Sequence, residues 1–249
     1  MIRIETINEG GSRLAKLIER ETAVLPLHDD ESHEAIIFIG ALGICVRRIQ
    51  QLVNDKYTDP AIICVDTTGK YVIPVLSGHV GGANDLARHI AMALGAEAVI
   101  TTQSDNLGLW ALDTLGREYG WRVSRLSRMA MNKAIATFVN GRPTALVLEV
   151  DDEGTRHLAQ TCPSHVRVFR SYNDFRKATD TYELLIMVSP YMHPSAGIPT
   201  LQYFPPCLHL GVGCQLNASI TIAPQLLHEV EMAGYATHSI ATINSIELK

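Results

Sequence analysis

The sequence predicts an α/β protein: a mainly parallel sheet with helices on its faces in an N-terminal domain, then a smaller α/β central domain. Three observations predict it. Apolar runs such as Ile36-Ile37-Phe38-Ile39, Ala61-Ile62-Ile63-Cys64-Val65 and Leu184-Leu185-Ile186-Met187-Val188 do not alternate, as expected of strands covered on both faces. Helix-like stretches separate these runs. Of 249 residues, 47% are hydrophobic and 19% charged, a balance that can bury a core.

Ile36–Ile39 ends at Gly40, and a helix is expected from Gly43 to Val53. Asp59-Pro60 breaks the chain before the strand at 61–65, which ends at Asp66. Thr67-Thr68-Gly69 reads as a turn. Tyr71–Leu76 reads as a strand whose Pro74 marks an edge or a strand end. Leu86–Leu94 has apolar residues at 86, 90 and 94, one face of a helix that Gly95 ends. Ala98-Val99-Ile100 is a fourth strand, and residues 1–115 form the N-terminal domain. In residues 116–200, strands are expected at 145–150, 166–169 and 184–188, and a helix at 129–139. Pro190, Pro194, Pro199, Pro205 and Pro206 suggest a linker. Residues 201–249 hold a strand near His209–Cys214 and a helix at 222–233, and look like the start of a further, truncated domain.

Composition excludes several functions. Lys plus Arg is 21 and Asp plus Glu is 26, so the net charge of −5 argues against a binder of nucleic-acid phosphates. No run reaches the ~18 apolar residues that span a bilayer, and no membrane role is expected. Five cysteines with no Cys-x-x-Cys pair suggest neither disulfides nor a zinc site, and Met1–Glu5 lacks a secretory layout, so the cytoplasm is the expected compartment. No Gly-x-Ser-x-Gly elbow supports a serine hydrolase.

The strongest local signal is Ser77-Gly78-His79-Val80-Gly81-Gly82-Ala83-Asn84-Asp85, between a strand and a helix. Amide groups exposed there, with the helix end, would stabilise an anion or a developing oxyanion. The pattern is neither a dinucleotide fingerprint nor a Walker loop. A turn required for strand–helix packing is the bland alternative. His79 has the side chain suited to acid–base work near neutrality. Asp66 and Asp105 both follow strands and face the same crevice as His79 if those strands are parallel neighbours; turn or cap formation is the alternative. Asn84 and Asp85 are candidates to cap the helix at Leu86, which is the better single explanation for Asp85. Of Arg47 and Arg48, only one is expected to face a pocket, where a guanidinium would hold a carboxylate. Lys56 and Lys70 are weaker candidates, and Cys214 reads as a small packed residue.

Several segments together resemble the CbiG family of cobalamin biosynthesis. They are Gly40-Ala41-Leu42-Gly43-Ile44-Cys45-Val46-Arg47, Asp59-Pro60-Ala61 with Val65-Asp66, Pro74 through Ala87, and Val99-Ile100-Thr101-Thr102-Gln103-Ser104-Asp105. The Ser-Gly-His-x-Gly-Gly-Ala-Asn core is the specific part. The middle region resembles the family's central domain in position and layout. His209–Cys214 resembles the opening of its C-terminal domain, although Gln215-Leu216-Asn217 stands where the family usually has basic residues. Ile240-Ala241-Thr242-Ile243 resembles the next family segment.

The resemblance implies a cobalt-precorrin 5A hydrolase. Its substrate is a cobalt-bearing macrocycle with carboxylate arms and a lactone, which water opens with loss of acetaldehyde to give cobalt-precorrin 5B. Cobalt arrives on the substrate, so no cofactor of the protein is expected. The base expected to activate water is His79 or Asp66. Ser77, Gly78, Gly81, Gly82, Asn84, Asp105 and Arg47 are the expected substrate-binding residues, with amides at Gly78, Gly81 and Gly82 facing the oxyanion. The alternative is a non-catalytic tetrapyrrole-binding portion of a larger or fused pathway protein; a nucleotide-binding domain ranks third. A homodimer and association with other pathway enzymes are further expectations.

Overall fold

The computed structural model describes residues 2–7, 9–23, 35–55, 57–213 and 222–245. The chain forms two compact units, Met1–Gly108 and Leu109–Lys249.

The first unit contains β1 (Ile2–Thr6), α1 (Glu9–Thr22), β2 (Ala35–Ile39), α2 (Leu42–Ile49), β3 (Ala61–Val65), β4 (Tyr71–Leu76), α3 (Ala83–Leu94), β5 (Glu97–Ala98) and α4 (Gln103–Leu107). Its sheet has the order β1-β2-β3-β4-β5. Every residue of β2 and β3 is buried because both faces are covered. Ile37, Ile39, Ile63 and Val65 meet Ile18 of α1 and Ala87, Ile90 and Ala91 of α3. Ile36, Phe38, Ile62 and Cys64 face the other way, toward Cys45 and Ile49 of α2. Each fully buried Val, Ile or Phe among them is worth about 1.5–3 kcal/mol.

Strands β1, β2 and β3 are parallel, but β4 runs antiparallel to β3, and β5 is parallel to β4. The segment joining β3 to β4 is residues 66–70, closed by Gly69 at φ 71. That is a hairpin connection; a parallel return needs about a dozen residues or more. The carboxyl ends of β4 and β5 therefore lie at the opposite rim from those of β1–β3. Pro74 is accommodated where the β3–β4 register shifts, and β5 pairs only with Tyr71 and Val72, so no neighbour on that side needs its missing N–H.

The second unit contains α5 (Leu115–Glu118), β6 (Arg122–Val123), α6 (Arg125–Val139), β7 (Thr144–Leu148), α7 (Glu153–Gln160), β8 (Val166–Phe169), α8 (Tyr172–Lys177), β9 (Leu184–Val188), β10 (Thr200–Phe204), β11 (Leu208–Val212), α9 (Ile222–Met232) and β12 (Ile240–Ser245). The main sheet has the order β6-β10-β9-β7-β8, and β11 pairs with β12 in a separate parallel ribbon. Strands β7 to β10 are parallel, and β6 is antiparallel to β10. The chain leaves β7 for β8 on one side, then crosses to β9 on the other. The carboxyl ends of β7 and β9 thus flank a topological switch point.

Two boundaries differ from the sequence reading. Trp110, Leu112 and Leu115 are buried in the second unit's core beside Trp121, Phe138 and Tyr203, so the division falls before residue 110. The proline-rich stretch contains β10, whose Leu201 and Tyr203 are fully buried in that core, so it is not a linker throughout. Helix ends follow local chemistry. Ser124 caps α6 by accepting from Ser127 N–H, and Asp152 with Thr155 forms a capping box on α7. Among the described residues, no helix is long and apolar enough to cross a membrane.

Candidate active site

The loop after β4 is built by its own backbone. Ser77 has φ 55, a left-handed conformation that costs about 1 kcal/mol for a residue with a side chain. Its carbonyl accepts from Ala83 N–H at 3.1 Å, and its hydroxyl donates to the Asp59 carbonyl at 2.9 Å. Asn84 N–H donates to the Gly78 carbonyl at 2.9 Å, and Gly82 N–H to the His79 carbonyl at 3.0 Å. The sequence requires glycine twice for space. A Cβ at position 78 would lie 2.7 Å from Asn84 Oδ1, and one at position 81 would lie 2.6 Å from Ser77 Cβ. Gly82, at φ 77, is the N-cap of α3. Asn84 and Asp85 are inside the first turn rather than capping it, because the helix starts at Ala83.

This loop meets the segment after β5, at the same rim of the sheet. His79 Nε2 lies 2.6 Å from Asp105 Oδ2 and 3.3 Å from Ser104 Oγ. The same Asp105 oxygen accepts from Thr102 Oγ1 at 2.6 Å and from Asn84 Nδ2 at 3.0 Å. The other carboxylate oxygen accepts from Arg88, which also donates to Asp85 at 3.1 Å. Burial would raise the Asp105 pKa, but the Thr102, Arg88 and His79 hydrogen bonds outweigh it and hold the carboxyl well below the usual carboxylate range. The Arg88 guanidinium is raised in turn, chiefly by its hydrogen bond to Asp105. The His79 side chain keeps 22% of its surface exposed, against 16% for Asp105. The result is an imidazole oriented by an ionised carboxylate, the arrangement that supports general-base action.

The predicted residues are sorted by this geometry. His79, Ser77, Gly78, Gly81, Gly82, Asn84 and Asp105 come together. Asp105 and Asn84 spend their polar groups inside the protein, so they position His79 instead of facing a substrate. The Gly82 amide is already taken by His79's carbonyl, which leaves Gly78 and Gly81 as the glycine donors for an oxyanion. Asp66 is elsewhere. It sits at the carboxyl end of β3, and because β4 is antiparallel it is a strand's length from the Ser77 loop. Its carboxylate accepts N–H groups of Thr68, Lys70 and Tyr71, closing the hairpin. These bonds and that of the Thr68 hydroxyl overcome the burial that would raise its pKa, and lower it. Arg47 is exposed on α2 and makes no hydrogen bond or ion pair among the described residues, whereas Arg48 approaches Glu5 at 3.7 Å. Lys56 and Cys214 lie outside the described residues. Sequence reasoning missed Arg88, Thr102 and Ser104. Arg88 was findable, since it lies three residues after Asp85 on the same helix.

Comparison with known proteins places this geometry in context. The cobalamin synthesis G N-terminal family model matches residues 30–105, and that of the cobalamin biosynthesis central region matches residues 110–205. The two matches meet where the structure divides, and the first contains the whole His79 cluster.

The chain belongs to the CbiG family.

It is 32% identical over 225 residues to a cobalt-precorrin-5A hydrolase of Priestia megaterium, covering 88% of this chain and 59% of that one. It is 34% identical over 219 residues to a cobalt-precorrin-5A hydrolase of Salmonella typhimurium, covering 88% of this chain and 61% of that one. The chain thus spans about three fifths of the length of these CbiG-family relatives. The solved structure of a cobalamin biosynthesis protein G homolog from Sulfolobus solfataricus matches with a TM-score of 0.50 at 19% identity, covering 99% of this chain and 74% of that one. That likeness supports the α/β fold.

Proposed function

We propose that this chain carries the hydrolytic centre of a cobalt-precorrin-5A hydrolase. The observation that carries the reading is the His79–Asp105 pair at 2.6 Å inside the segment that the family model matches. The relatives' printed activity supports the substrate class. The cobalt belongs to the substrate, and the reading asks for no cofactor of the protein.

In this reading His79 takes a proton from water as it attacks the lactone carbonyl. Asp105, kept ionised by Arg88 and Thr102, stabilises the imidazolium. The Gly78 and Gly81 amides face the tetrahedral oxyanion, a donor there being worth about 3 kcal/mol. The exposed Arg47 guanidinium serves a peripheral carboxylate of the macrocycle. The opened ring then loses its two-carbon fragment as acetaldehyde. Incubation with cobalt-precorrin 5A, with acetaldehyde detection and product mass, tests the reading. Wild-type turnover that His79→Ala reduces about a hundredfold supports it. Saturable binding of the macrocycle without product would leave the non-catalytic alternative, and neither binding nor product would end both.

A further inference from the structure

The second unit holds another carboxylate–imidazole pair, at the switch point of its sheet. Glu149 follows β7, and Ser189 and His193 follow β9, the two strands that flank that point. Glu149 Oε2 lies 2.6 Å from His193 Nε2, and its side chain is only 9% exposed. The Ser189 hydroxyl donates to the same oxygen at 2.5 Å, and Tyr172 N–H donates to Oε1 at 2.7 Å. Ser189 also accepts from Tyr191 N–H at 3.0 Å, so its hydroxyl is committed to holding Glu149. The His193 ring stacks on Tyr172 at 4.5 Å and meets the edge of Tyr191 at 6.2 Å. Tyr172 is fixed in turn by its own hydroxyl on the Pro194 carbonyl at 2.8 Å.

A buried glutamate whose oxygens meet the Tyr172 N–H, the Ser189 hydroxyl and the ring fixes the Nε2–H tautomer. Among the described residues, Nδ1 of His193 has no hydrogen-bond partner, and the side chain keeps 15% of its surface exposed. A loop clip would be served by one hydrogen bond, whereas three donors converge here on a single buried carboxyl group. In open α/β sheets, ligands bind at such a switch point, beyond the carboxyl ends of the strands.

We propose that the central domain carries a second proton-transfer site, in which His193, its tautomer set by Glu149, accepts the proton of a hydroxyl-bearing ligand through Nδ1. Resting on the function proposed above, the hydroxyl is the one released when the lactone opens. Its proton passes to Nδ1, and the oxygen pair forms the aldehyde carbonyl. The carbon–carbon bond breaks with its pair left on the macrocycle carbon, which a proton from water then quenches. No oxidant or reductant is needed. The His79 centre would serve ring opening, and His193 would serve aldehyde release.

Two measurements test this. Single-turnover reactions of the full chain with cobalt-precorrin 5A are followed by mass for ring opening and by acetaldehyde for cleavage. In Glu149→Gln and His193→Asn, ring opening should proceed while acetaldehyde release slows about a hundredfold, so the opened species accumulates. Loss of both steps together, or of neither, in variants with wild-type circular dichroism overturns the assignment. If wild type itself releases nothing, the hydrolase reading fails, and labelling decides the site independently. Diethylpyrocarbonate should acylate His193 in the folded wild-type protein, and about tenfold more slowly in Glu149→Gln. A folded protein in which mass mapping finds His193 unmodified has no open Nδ1, and the site is then refuted.

Discussion

The carboxamide of Asn84 occupies the space that any side chain at position 78 would enter: its Oδ1 lies 2.7 Å from where a Gly78 Cβ would stand. The same carboxamide donates to Thr102 and to the Asp105 oxygen that holds His79. A methyl group at position 78 is therefore transmitted through Asn84 to the imidazole.

Gly78→Ala should cut acetaldehyde release at least tenfold while costing about 1–3 kcal/mol of stability. Gly82→Ala is the control: a Cβ there meets nothing within 4 Å, so only its φ of 77 is strained. It should lower stability by about 1 kcal/mol. Urea unfolding and turnover, measured on both variants, separate displacement of Asn84 from backbone strain.

Asp105→Asn should lower turnover more than it lowers substrate binding, because the variant keeps the shape of the site but loses the charge behind His79. A fall in kcat of tenfold or more with KM within a few-fold is expected. Equal losses in both would mean that Asp105 serves binding.

The depressed pKa of Asp105 also gives a stability signature. Its folded value lies below the unfolded value of about 3.9, so its contribution is complete above that pH and drains away as acidity carries it through the folded value. The difference in Tm between wild type and Asp105→Asn should therefore be largest near neutrality and shrink below about pH 4. A gap independent of pH would contradict the ionised pair.

Asp66→Asn should leave turnover unchanged and destabilise the fold by about 1–2 kcal/mol, since its carboxylate gathers three backbone N–H groups of the β3–β4 hairpin. A loss of activity at unchanged stability would return Asp66 to the chemistry.

Much of this was readable from residues. The uninterrupted apolar runs marked β2, β3, β7 and β9 because two-sided burial removes alternation. The Ser77–Asp85 loop was found through its glycines, and His79 with it. The pairing of Asp66 with His79 failed on strand direction, although the short 66–70 connection already allowed only a hairpin. β1 and β10 were missed because each has a polar residue within a short span, Arg3 and Gln202, and their burial comes from partners distant in sequence. Glu149 and His193 are 44 residues apart, and only the crossover from β8 to β9 brings them together.

The reversal at Gly69 puts the 67–69 turn at the rim of the first sheet opposite the His79 cluster. An epitope or fluorescent reporter spliced into the 67–69 turn would sit about 20 Å from the imidazole, measured along β4. It would offer a handle for immobilising or imaging the protein in assays of the proposed reaction.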